Sequence, residues 1–155
     1  MGYWLSIRFS PGQQDVSSNQ SYMAVYLSVH ASSGYYAEHT GGTGTLTVNG
    51  VNYPFSGHYR VNGSSQVIHS VGVWIPHNPD GSKTLYASAS FDTRVVGVLT
   101  ASNSATLTTI PRASSPTTSK ETVTFGESFD ILTHRKSTNF THDIYVGVNN
   151  DANSL

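Results

Sequence analysis

The chain has 155 residues, a formal net charge of −1 and only 11% charged residues, so it lacks the basic field that tight nucleic-acid binding needs. It contains no cysteine, which excludes disulfides, zinc-thiolate sites and a thiol nucleophile. Hydrophobic residues reach 37%, with nine tyrosines and two tryptophans, enough for a packed core, while serine, threonine, asparagine and glycine supply the polarity expected of exposed sheet faces and turns.

Alternation with a period of two runs through the chain. Tyr3, Leu5, Ile7 and Phe9 open it. Over 20–30, Met23, Val25, Leu27 and Val29 share one face and Tyr22, Ala24, Tyr26, Ser28 and His30 the other, the pattern of a half-buried strand. Leu46 and Val48 lead into Asn49-Gly50 and out to Val51, Tyr53 and Phe55. Asn-Gly between alternating runs marks a hairpin, because both residues tolerate positive φ. The Gly41-Gly42-Thr43-Gly44 run lacks the lysine and helix of a phosphate loop and reads as a flexible strand entry.

Over 66–75 the pattern puts Val67, His69, Val71, Val73 and Ile75 on one face and Ile68, Ser70, Gly72 and Trp74 on the other. Pro76-His77-Asn78-Pro79-Asp80-Gly81 ends that strand. Leu85, Ala87, Ala89 and Phe91 resume the alternation, and strands are expected over 94–100 and 104–110, with Leu107 and Thr109 closing the sheet. No stretch carries an apolar stripe of helical period. The whole predicts an all-β protein, an antiparallel β-sandwich of jelly-roll-like kind over 1–112.

Pro111 removes a ladder donor, and 113–119 reads as an extended linker with a second proline. Alternation returns over 121–131 and 140–148, too little for an independent core, so 120–155 is expected to be the incomplete start of a second β-domain.

Val73-Trp74-Ile75-Pro76-His77-Asn78-Pro79-Asp80-Gly81-Ser82-Lys83, followed by Ser104-Ala105-Thr106-Leu107-Thr108-Thr109-Ile110-Pro111-Arg112-Ala113-Ser114, resembles a family of phage tail proteins. These are minor structural proteins at the tail tip of long-tailed phages of Gram-positive bacteria, and some serve in host adhesion or receptor binding. Phe125-Gly126-Glu127-Ser128 with Arg135-Lys136-Ser137-Thr138-Asn139-Phe140-Thr141-His142 looks like the start of the immunoglobulin-like domain that follows in such chains. The resemblance runs in order over about 67–148. It implies a virion part made in the host cytoplasm without a signal peptide, with other phage tail proteins and host cell-wall polysaccharide as partners. The amino terminus agrees, having no basic leader and long apolar core, and no segment is long enough for membrane insertion.

The residues point to no chemistry of their own. His30, His39, His58, His69, His77, His134 and His142 are scattered without ligand spacing, so neither a metal nor a cofactor is expected. Asp80 reads as the acceptor within its Asp-Gly turn and Asp92 as a cap on the bend before Arg94, while His77 and His142 read as hydrogen-bonding turn or strand ends. Few acids and no long catalytic loop make this a nonenzymatic chain.

Aromatic planes cover the apolar faces of sugar rings, and on that ground Tyr35 and Tyr36 in a loop, with Trp74 and Trp4 on strands, are the candidate ligand contacts. The bland alternative is that they are core. The sequence therefore reads as a tail-tip protein that attaches to wall carbohydrate. The alternative is a carbohydrate-binding module of a wall-degrading enzyme, with a glycosidase a more distant third. Thr-rich, uncharged strand edges add the expectation of a homo-oligomer.

Overall fold

The computed structural model of the protein describes residues 2–112, 115–119 and 126–134. Seven strands build its main body: β1 (Tyr3–Asp15), β2 (Gln20–Ala31), β3 (Tyr36–Val48), β4 (Val51–Asn62), β5 (Ser65–Pro76), β6 (Thr84–Asp92) and β7 (Val98–Thr106). They form two antiparallel sheets, β1-β2-β5 and β4-β3-β6-β7, and the described residues contain no helix. The expected β-sandwich is there. Its seven strands and their order are those of an immunoglobulin-like sandwich, with the fourth strand beside the third, rather than of an eight-stranded jelly roll.

Burial follows the alternation. Met23, Val25, Leu27 and Val29 of β2 face Leu46, Val48, Tyr59, Val61, Leu85 and Phe91 of the other sheet, all buried. Shortening one of these side chains, as in Leu27→Ala, removes contacts that nothing refills, at a cost of about 2–5 kcal/mol. At the sides of the sandwich, side-chain amides cover strand edges. Asn103 Nδ2 of β7 donates to the Ile7 carbonyl of β1 at 2.8 Å, and Gln66 Oε1 of β5 accepts from the Arg60 amide of β4 at 2.7 Å.

The turns follow local chemistry. Asn49 and Gly50 have φ of 50° and 83°, and Val48 pairs with Val51 across the expected two-residue hairpin. Asp15, Asp80 and Asp92 each accept through Oδ1 from the amide two residues on, at Ser17, Ser82 and Arg94. In the proline turn His77 Nδ1 donates to the Gly81 carbonyl at 2.6 Å, which leaves Nε2 to accept from the Ser21 hydroxyl at 2.8 Å. His77 therefore fastens the turn to β2, the role expected of it.

Several expectations are corrected. Residues 94–100 and 104–110 are not two strands; a single strand, β7, runs from the end of the first range into the start of the second. Arg94 is in a left-handed turn with φ of 64°, and the Thr93 hydroxyl accepts from the amides of Val95 and Val96, so these β-branched residues never enter a ladder. After β7 the chain closes the core with Leu107 and Ile110, both buried, whereas Thr109 is only half-buried. Their amides donate to Lys83 and Gly81, a spacing of three that strand alternation does not foresee. In β5 the register shifts where Leu27 meets His69 but Ser28 meets Val67. Ile68 is the extra residue of this bulge, so Val67 turns outward and is 51% exposed, away from the face of His69 and Val71.

The run Gly41-Gly42-Thr43-Gly44 is not a strand entry but the middle of β3. A Cβ on Gly42 would lie 2.4 Å from the Phe91 ring, and one on Gly44 would lie 2.5 Å from the Ser90 carbonyl and 2.7 Å from the Phe55 ring. These glycines leave room for core aromatic rings against the sheet.

Beyond β7, β8 (Ser115–Thr118), inside the stretch read as linker, pairs with β9 (Ile131–His134) in a separate two-stranded sheet. The expected strand over 121–131 falls partly, and that over 140–148 wholly, outside the described residues, as does the whole 135–142 motif with His142.

Gly44→Val is expected to lower stability by about 1–3 kcal/mol, because the neighbouring backbone cannot yield to a side chain. A urea titration checks it. His69 stacks on Phe55 at 4.5 Å with its Nε2 buried and unpartnered, and burial holds its pKa below the usual 6.5. The unfolded chain then binds more protons than the fold, so stability present above pH 6.5 is lost as pH falls through the lowered value. Asp15, held at about 2 by the Ser17 and Ser18 hydrogen bonds, releases its share only below its ordinary 3.8. Thermal melts between pH 7.5 and 5 should show a falling midpoint, and His69→Leu should lessen that slope, His30 keeping its own share, while leaving the acid limb unchanged.

Candidate functional site

The outward positions of β1, β2 and β5 form one continuous sheet face. Register arranges them in five rows two residues apart. In order they are Trp4 with His30, Ser6 with Ser28, Arg8 with Tyr26 and Ser70, Ser10 with Ala24 and Gly72, and Tyr22 with Trp74. At about 3.3 Å per residue, the rows span roughly 26 Å along β2.

Each aromatic group is held by a neighbour. Trp4 stacks on His30 with ring centres 5.0 Å apart and planes within 5°, and His30 Nε2 is bonded to the Ser6 hydroxyl at 2.7 Å. Arg8 lies over the Tyr26 ring at 4.5 Å. Tyr22 meets Trp74 edge-on at 5.5 Å. The Tyr22 ring is seated between two glycines: a Cβ on Gly12 would lie 2.8 Å from its Cδ1, and one on Gly72 would lie 1.9 Å from its hydroxyl. Three of these rings remain accessible, with Trp4 at 38%, Tyr22 at 37% and Trp74 at 48% exposure. Burial lowers the His30 pKa below 6.5, so that ring is uncharged at neutral pH and Arg8 is the one charge in these rows.

Trp4 and Trp74 are thus brought onto one face, at its opposite ends. Tyr35 and Tyr36 are not. Tyr35 packs edge-on against Tyr3 at 5.6 Å and over Gly2, at the Trp4 end of the sandwich. Tyr36 opens β3 in the other sheet and donates through its hydroxyl to Glu38, which also pairs with His58 at 3.2 Å and Arg60 at 3.7 Å. The Tyr36 hydrogen bond, then that of His58, holds the Glu38 carboxyl below its usual range, and the same bond raises the Tyr36 phenol. That cluster satisfies itself.

Sequence reasoning missed Tyr22, Tyr26 and Arg8. Their signal was present, since Tyr22 and Tyr26 sit on the face of β2 opposite to its core residues. A cleft of about 420 Å³ adjoins Tyr22, between the β1 irregularity at Pro11–Gln14 and the end of β7, lined by Phe9, Pro11, Met23 and Leu107. Among the described residues, no three His, Asp or Glu side chains gather in a group that could hold a metal ion.

A family model described as a siphovirus protein of unknown function (DUF859) matches residues 1–155. The chain belongs to this siphovirus family. No curated protein and no solved structure matches it. The siphovirus protein is thus a long-tailed-phage protein built as a β-sandwich, with a flat aromatic face on its three-stranded sheet.

Gly72→Ala in this siphovirus protein should displace the Tyr22 ring while leaving the fold intact, because the clash falls on the far end of a side chain. The expected outcome is a shifted Trp74 fluorescence maximum with an unchanged far-ultraviolet circular dichroism spectrum.

Proposed function

We propose that this siphovirus protein is a nonenzymatic component of the phage tail tip that takes part in attachment to a Gram-positive host, by binding cell-wall carbohydrate. The observation that carries the reading is the row of Trp4, Tyr26, Tyr22 and Trp74 on one rigid sheet face, interspersed with Ser6, Ser10, Ser28 and Ser70. Sugar rings present an apolar face to an aromatic plane and hydroxyls at their rim, so rings flanked by hydroxyl groups suit them. A pleated platform holds such groups without the ordering cost that a loop would incur.

Nonenzymatic action fits the roles of the carboxylates within the sandwich. Asp15, Asp80 and Asp92 are turn acceptors, and Glu38 is bound within its own cluster. A shallow face binds weakly as one copy, and several copies on one particle would raise the effective affinity by about a hundred-fold or more.

The test uses walls of the bacterium that the phage infects. Trp4→Ala together with Trp74→Ala should lower retention on purified walls by roughly ten-fold or more, with an unchanged melting temperature. Antibody to the chain should label the tail end of intact virions. Full retention by the double variant, or a chain recovered only outside the virion, would favour the rival reading of a module on a wall-degrading enzyme or remove carbohydrate binding altogether.

A further inference from the structure

The aromatic face is charged at a single place. Arg8 sits in the middle row of five, and the outward positions around it are Trp4, Ser6 and Ser10 on its own strand, then Ser28, Tyr26 and Ala24 on β2. Beyond them, β5 contributes Val67, Ser70, Gly72 and Trp74. None is acidic. The described ion pairs of this protein are those of His58 and Arg60 with Glu38 and of Arg94 with Asp92, all on the other sheet or its turns. Arg8 has no carboxylate partner among the described residues.

Its geometry is nonetheless fixed. Directly opposite Arg8 in the ladder is Tyr26, and the guanidinium lies over that ring at 4.5 Å. A guanidinium held over a ring is kept in place without using up its five N–H donors, which can meet the two oxygens of a carboxylate or phosphate. An exposed arginine without such a support sweeps through many rotamers and offers no fixed edge.

We propose that the occupant of this face is an acidic polysaccharide, whose sugar rings lie on the aromatic groups and whose oxyanion is held by Arg8 at the centre. This rests on the carbohydrate reading above and deepens it. The end rows, Trp4 with His30 and Tyr22 with Trp74, lie about 13 Å to either side of Arg8 along β2, so the charged group of the chain is flanked by stacked rings on both sides. Arg8 supplies selection for charge, and the aromatic groups supply hold that is indifferent to it.

The test measures retention of the full chain on purified host walls at 25 and 500 mM salt. Wild type should lose binding about ten-fold at the higher salt, because a single exposed charge contact is screened there. Arg8→Gln should start roughly ten-fold weaker and lose its salt dependence, with an unchanged melting temperature. Arg8→Lys should keep the salt dependence but recover only part of the affinity, since an ammonium on a flexible stem neither stacks nor forks. Equal binding and equal salt response of Arg8→Gln and wild type would overturn the anion, while leaving carbohydrate binding in place. Trp4→Ala with Trp74→Ala retaining full binding would instead overturn the carbohydrate reading, and with it this inference. Sedimentation showing a dimer lost in Arg8→Gln, with walls ignored by both, would mean that the face meets a second copy of the chain.

Discussion

The structure depends on the two-sidedness of β2, the one strand of its sheet with a neighbour on both edges. Its inward residues, Val25, Leu27 and Val29, have no exposed surface, while the residues between them carry the outer face. A slip of one residue would exchange those sets, putting Tyr26 and His30 into the core and valine into water. The same apolar packing that fixes the fold therefore also fixes where Trp4, Arg8 and Trp74 can stand, because both flanking strands take their register from β2. The layout of the aromatic face is a by-product of a register that the core enforces.

A second constraint is the pairing of glycines with aromatic rings. Phe91 lies against Gly42, Phe55 against Gly44, Tyr22 across Gly12 and Gly72, and Tyr35 over Gly2. In a sheet a glycine leaves a hole that weakens its strand, and a ring laid over it restores the lost contact. Here the device works inside the core and on the outer face alike. It explains a chain rich in both tyrosine and glycine without any need for long loops.

The sequence revealed whatever local chemistry decides. The Asn49-Gly50 hairpin, the aspartate turns, the His77 fastening and the inward face of β2 could all be read residue by residue, because each depends on neighbours close in the chain. What escaped were effects of distant partners. The bulge at Ile68 exists because β5 must match β2, so alternation alone put Val67 on the wrong face. Val95 and Val96 look like strand residues until the Thr93 hydroxyl takes their amides. Trp4 and Trp74 were singled out, but only the register shows that they share a sheet face from which Tyr36 is excluded.

The glycine seats also divide the outer face into fixed and free positions. Replacing Gly12 or Gly72 moves a ring, whereas the Ser10 and Ser70 side chains hold no ring in place among the described residues and stand beside Arg8 and Tyr26. Drift over generations can therefore rewrite the polar lettering around a constant aromatic frame without disturbing the sandwich. A lineage of such proteins could exchange small side chains across this face, generation after generation, and keep its architecture throughout.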